Sequence, residues 1–232
     1  MKRIALFGLS LILCLGQAVA QNYFEGKIVF DVEIEGENAE MMAGLMPQHF
    51  NYLVKGSSLK FTMEGGMMQD MMGEFIINTD DASGYMVQHN MKKAYKMEPP
   101  TPEETAEIDV KPTVKKESET ATIAGYSCQK YTVTMSTQMG QMVQEIWATK
   151  DIKFKRPNLP SAQGLDQIFI DGLDAFPLKI KQDLPMGMGK MTLEASEVAP
   201  GSVDAKMFEF PSDYSVEKFD PAVFGKQIMG GN

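Results

Sequence analysis

The feature that most constrains this chain is an alternation of apolar and polar residues with a period of two, repeated in segment after segment. Such alternation builds β-strands with one dry face and one wet face. In the first segment Ile28, Phe30, Val32 and Ile34 share one side, and Asp31, Glu33 and Glu35 share the other. Phe50, Tyr52 and Val54 repeat the pattern, as do Leu59, Phe61 and Met63 opposite Lys60, Thr62 and Glu64. Shorter strands are expected at Glu74–Asn78 and Tyr85–His89, with Tyr95 and Met97 beyond. The second half supplies Gln129–Met135, with Tyr131, Val133 and Met135 inward, then Met142–Ala148, Leu178–Lys181 and Met191–Ala195. Short Gly-, Asn- or Asp-bearing connections such as Lys55-Gly56-Ser57 and Asn78–Gly84 suit antiparallel meanders.

A dry sheet face must be covered, and two segments have helical spacing. Asn38–Met46 is rich in helix formers, opens on an Asn cap and stops at Pro47. Ser161–Leu173 places Leu165, Ile168, Phe169 and Leu173 on one face, with Ser161 as cap. Between the halves, Glu98–Ser118 holds four of the chain's 12 prolines and many charges, and reads as an exposed connection. Neither half has enough strands to close a core alone, so residues 21–232 are expected to form one domain, with a frayed tail over 227–232.

Residues 1–20 carry Lys2 and Arg3, an apolar run from Ile4 to Leu15, and Ala18-Val19-Ala20. That is the layout of a cleavable secretory signal peptide, and the run is short of the ~20 residues that cross a bilayer as a helix. Cleavage after Ala20 is expected, placing the protein in the periplasm or outside the cell. No later segment is apolar enough to be a transmembrane helix. Of 2 cysteines, only Cys128 would remain after cleavage, so no intramolecular disulfide is expected. The formal net charge of −9 disfavours nucleic acid and anionic membrane surfaces.

Nucleophile–base sets are scarce. His49 and His89 are the 2 histidines, both in strand-like segments, and Cys128 has no histidine near it in sequence. No phosphate-binding loop, dinucleotide fingerprint or His-Glu-x-x-His pattern occurs. The expectation is a protein that is not an enzyme and uses no cofactor. The abnormal residue is methionine, 20 in all, clustered at Met41, Met42 and Met46, at Met63, Met67, Met68, Met71 and Met72, and at later groups. Three readings stay open: flexible core filler, an adaptable apolar groove, or Cu(I)/Ag(I) binding by soft thioethers. For metal the best candidates are Met67, Met68, Met71 and Met72. Gly65, Gly66 and Gly73 bracket them, which suggests a loop tip tolerant of substitution.

Several short stretches resemble a family. Glu25–Phe30, Ile123–Tyr131, Glu145–Ile152 and Phe208–Tyr214 are similar to Met-rich exported proteins classed as a domain of unknown function in Gram-negative envelopes. They also resemble the wider outer-membrane lipoprotein carrier and receptor superfamily. The resemblance implies a mainly β (α+β) fold, a curved antiparallel half-barrel whose concave side is covered by helices. It also implies an apolar cavity that holds acyl chains. On that shape the cavity lining would be Ile28, Phe30, Val32, Tyr52, Phe61, Tyr131 and Val133, with Leu165 and Phe169 from the cover. The expected partner is a lipid or lipoprotein acyl chain, or an envelope protein. The alternative is a Met-type Cu(I)/Ag(I) binder.

Overall fold

The alternating segments all join one sheet in a computed structural model, which describes residues 23–81, 83–98, 112–137, 140–155, 168–184 and 187–220. A first meander runs through β1 (Gly26–Glu35), β2 (His49–Lys55), β3 (Ser58–Glu64), β4 (Glu74–Asn78), β5 (Gly84–Gln88) and β6 (Lys93–Met97). A second runs through β7 (Thr113–Ile123), β8 (Tyr126–Thr137), β9 (Gly140–Thr149), β10 (Phe176–Asp183) and β11 (Lys190–Pro200). Antiparallel pairing of β1 with β11 joins them. The order is β12-β6-β5-β4-β3-β2-β1-β11-β10-β9-β8-β7, and the short β12 (Ser215–Lys218) lies parallel to β6. With β12 and β7 as edges, the sheet is not closed into a barrel. Two helices, α1 (Ala39–Leu45) and α2 (Gly66–Met72), follow β1 and β3.

Local chemistry explains the joints. Between β7 and β8, Ala124 (φ 47°) and Gly125 (φ 84°) form a two-residue turn whose twist suits a hairpin. Pro177, with no N–H to donate, sits where the β9–β10 register shifts, so no ladder bond is lost. In a flat sheet β7 would lie about 19 Å from β11, four strands away. Some of their Cα atoms are nevertheless within 8 Å, so the sheet bends strongly at this end.

One apolar cluster gathers the inward residues of both meanders. It includes Ile28, Phe30, Tyr52, Leu59 and Phe61 from the first and Val133, Ile146, Leu178, Ile180 and Leu193 from the second. Aromatic rings carry the packing across β1–β4. Phe30 meets Tyr52 edge-on at 5.6 Å, Tyr52 lies 4.8 Å from Phe61, and Phe61 lies 5.9 Å from Phe75. Each such pair adds about 1 kcal/mol to the area it buries.

The structure departs from the simple alternation in three places. First, β4, β5 and β6 are buried on both faces. Ile76, Val87 and Ala94 form a second cluster with Tyr85, and it is covered by Phe208, Phe210 and Tyr214 of the C-terminal segment. Second, Thr113–Ser118, expected in the exposed connection, begins β7; residues 99–111 lie outside the described residues. Its lysines and glutamates suit an edge strand, where charge discourages pairing with another sheet. Third, the cover expected at Ser161–Leu173 is not helical where it is described. Residues 161–167 lie outside the described residues, and Ile168–Leu173 is a turn. Gly172 there has φ 79°, a conformation glycine adopts without strain. Ile168, Ile170 and Leu173 are nonetheless buried in the main cluster, so this segment covers the sheet as a loop.

The lone tryptophan, Trp147, lies on the face opposite Ile146. The ammonium groups of its cross-strand neighbours Lys130 and Lys179 stand 4.7 and 5.6 Å from its ring. Cys128 is buried and unpaired, and burial pushes its thiol from an ordinary 9.0 up to about 11. A raised acid pKa favours the folded state only while the thiol stays protonated. Stability linked to Cys128 should therefore be full below pH 9 and decline as pH rises toward 11. At pH 8 the native thiol should be alkylated at least about tenfold more slowly than the same thiol in urea. Equal rates in the two states would show that Cys128 is accessible.

Candidate functional site

The inward wall of the sheet is the first candidate, and its geometry follows from register. Ile28 pairs with Tyr52, Tyr52 with Phe61, and Phe30 with Phe50, so their side chains stand on one face of adjacent strands. Ile28, Phe30, Tyr52, Phe61 and Val133 are each no more than 2% exposed. Val32, Tyr131 and Phe169 are half-buried and pack against the same cluster. The structure thus brings eight of the nine expected lining residues to one apolar mass; Leu165 lies outside the described residues. Burial with no opposing charge drives the Tyr52 phenol strongly upward, keeping it protonated at any working pH.

Polar groups on this wall were not anticipated. In β9 the inward residues are Gln144, Ile146 and Ala148, and in β10 Ile180 and Gln182. The Gln144 amide donates to the Gln182 carbonyl oxygen at 2.6 Å, across directly paired positions. Gln144 is 3% exposed, and its own Oε1 has no hydrogen-bond partner among the described residues. Gln88, 5% exposed on β5, donates to the Met71 carbonyl at 2.5 Å and leaves its Oε1 likewise unmatched. A buried acceptor without a partner costs on the order of 1–3 kcal/mol. The signal in the sequence was a Gln at a register position that alternation assigns to the interior.

The methionine cluster is a helix and not a loop tip. The flanking glycines suggested a mobile hairpin end, but they serve close backbone approach. A Cβ on Gly66 would stand 2.2 Å from the Met46 carbonyl oxygen, and one on Gly73 would stand 2.1 Å from that of Val87. The two glycines thus seat α2 between the end of α1 and the end of β5. Helical spacing then splits the cluster into two pairs four residues apart. Met68 and Met72 pack on the main core, Met67 is exposed, and Met71 is half-buried. Beside Met67, helix α1 leaves Met41 and Leu45 exposed and buries Met42.

The histidines stand apart from one another. His49 Nδ1 is 2.9 Å from Asp31 on an exposed face. His89 stands between the Tyr214 hydroxyl, 2.8 Å from Nδ1, and Glu74, 3.2 Å from Nε2; Lys60 binds the other oxygen of Glu74 at 2.7 Å. This line ties the C-terminal segment to β3, β4 and the turn that follows β5. Beside it a surface recess of about 460 Å³ is lined by Ile76, Tyr85, Phe208, Phe210, Ser83 and Glu209, among others. Among the described residues no group of three or more His, Cys, Asp or Glu side chains is arranged to hold a metal ion. No described helix is long and apolar enough to cross a membrane.

Residues 24–214 match the family described as Domain of unknown function (DUF4412). The chain belongs to that family. No curated protein matches it. A solved structure similar to this DUF4412 chain is that of an uncharacterized conserved protein from Thermus thermophilus. It shares 10% identity over 84% of this chain and 91% of its own, with a TM-score of 0.42.

The split of the methionines has a measurable consequence. Met67→Ser should shift the urea-unfolding free energy by less than about 0.5 kcal/mol. Met68→Ser with Met72→Ser should lower it by about 2–4 kcal/mol. Equal, small effects from both would return the cluster to a loop-like role.

Proposed function

We propose that this protein is an exported, non-enzymatic binding protein of the cell envelope that holds an apolar, acyl-chain-like ligand against the inner wall of its sheet. In this reading the sheet acts as a curved half-barrel of the lipoprotein-carrier kind. The short helices α1 and α2 and the Ile168–Leu173 loop are its movable covers. The observation that carries the reading is an inward wall of apolar side chains interrupted by buried acceptors with no partner among the described residues. Native proteins leave few such groups unmatched, and a ligand is one way to match them. Seven-residue helices are marginal by themselves, and the Asn38 side chain makes no capping bond to α1. Displacing them therefore costs less than opening a longer helix. Methionine side chains on such covers adapt to varied chains because they are unbranched and polarisable.

The energetics are adequate. Burying about ten methylenes gains roughly 8 kcal/mol, and part of that is lost to immobilising the chain. A micromolar dissociation constant, about −8 kcal/mol, is expected for a longer chain. The Cu(I)/Ag(I) alternative retains one favourable observation. Met67 and Met71 lie four residues apart on the less buried side of α2, so two thioethers are available to a soft ion.

Titration with a fluorescent fatty-acid probe tests the reading. Folded wild-type protein should bind at micromolar concentration. Val32→Glu and Phe169→Glu, at half-buried positions that tolerate substitution better than the core, should each weaken binding at least about tenfold, since a carboxylate facing apolar walls is disfavoured. An absence of probe binding, or unchanged binding in both variants, would overturn it.

A further inference from the structure

The inward polar atoms are not scattered. Gln144 and Gln182 occupy directly paired positions on β9 and β10, and Gln144 also pairs with Val133 on β8. On the next strand, Gln182 pairs with Met191, which is 2% exposed and itself paired with Ile34 on β1. Along its own strand Gln144 is flanked inward by Met142 and Ile146. The amide pair is therefore an island in an apolar field. One bond links the two side chains, from Gln144 Nε2 to Gln182 Oε1. That leaves the buried Gln144 acceptor unmatched among the described residues, and it leaves the donors of the half-buried Gln182 for other partners.

We infer that the Gln144–Gln182 pair is the polar anchor of the ligand site, and that it takes a neutral head group able to donate and accept together, as a carboxamide does. The inference rests on the apolar-ligand reading above and names the ligand's polar end. Two glutamines joined by one bond leave one NH2 group and one carbonyl oxygen uncommitted. Exchanging O and N in both amides reverses the direction of the shared bond without changing that inventory. A ligand amide satisfies both at once: its N–H donates to one glutamine and its carbonyl accepts from the other. A carboxylate fits poorly, because it brings two acceptors and no donor and would need a cation. Of the described lysines that the register places on the inward side, Lys93 of β6 is far along the sheet and held by Glu217 at 2.8 Å, and Lys116 of β7, opposite Tyr131, is exposed. An ester offers acceptors and no donor, so it meets half of the pair.

A buried acceptor that waits for a ligand also predicts a conflict between stability and binding. Gln144→Leu removes the unmatched oxygen and fills the space with apolar volume. Gln182, half-buried, is free to turn its amide toward water.

The test compares three probes of one chain length, a primary fatty amide, its methyl ester and its fatty acid, against wild-type protein, Gln144→Leu and Gln182→Leu. Wild-type protein should bind the amide about tenfold more tightly than the ester, as one or two hydrogen bonds allow. Both variants should lose most of the preference for amide over ester, and the thermal midpoint of ligand-free Gln144→Leu should equal or exceed that of wild type. If one variant fails to fold, the other decides. Amide and ester bound equally by wild-type protein would overturn the anchor while leaving the apolar wall standing; an ordered water satisfying Gln144 gives this result. Binding of none of the three probes would overturn both.

Discussion

The pairing of β1 with β11 holds the two meanders in a single sheet. It spans Gly26–Glu35 against Pro200–Lys190, with one register shift between Val29 and Phe30. The residues it joins lie about as far apart in sequence as any in the fold, so forming it carries the loop-closure entropy of most of the chain. Without it, β2–β6 and β7–β10 would each expose a dry face and a free edge. With it, Phe30 stands opposite Ala195 and Val32 opposite Leu193, and the inward wall becomes continuous across both halves. A ligand held on that wall depends on this one junction.

Most of the inward wall was legible because a period of two leaves little choice. Once Phe61 is inward, Leu59 and Met63 must be as well. What failed to show were features set by distant chain. β4 alternates no polar face because residues near Phe208 and Phe210 return to cover it, and nothing within Glu74–Asn78 announces that cover. The strand at Thr113–Ile123 hid among charges, since an edge strand can be polar on both sides. Glycines beside Met67–Met72 match the residue's usual preference for turns. Their use here is close contact with the Met46 and Val87 carbonyls, which only the folded chain reveals.

The candidate site was half legible for a related reason. Its apolar lining follows from alternation, whereas its polar anchor looks in sequence like an exception to be ignored. Gln144 stands in β9 where Ile146 and Ala148 set an apolar rule, and the rule encourages treating it as a stray. Physical chemistry treats it otherwise, because an amide kept from water needs partners. Places where local rules fail without local compensation are where function is expected. In this protein the exposed methionines of α1 and α2 and the unmatched glutamine acceptors are the departures of that kind.

The central claim is that the inner wall exists to hold a non-covalent apolar ligand. Native mass spectrometry of the protein purified from the envelope in mild detergent measures that directly. The account predicts a population heavier than the polypeptide by the mass of one lipid-like molecule, released on unfolding without change to the chain. The bare polypeptide mass alone, or an increment equal to a copper or silver ion, would contradict it.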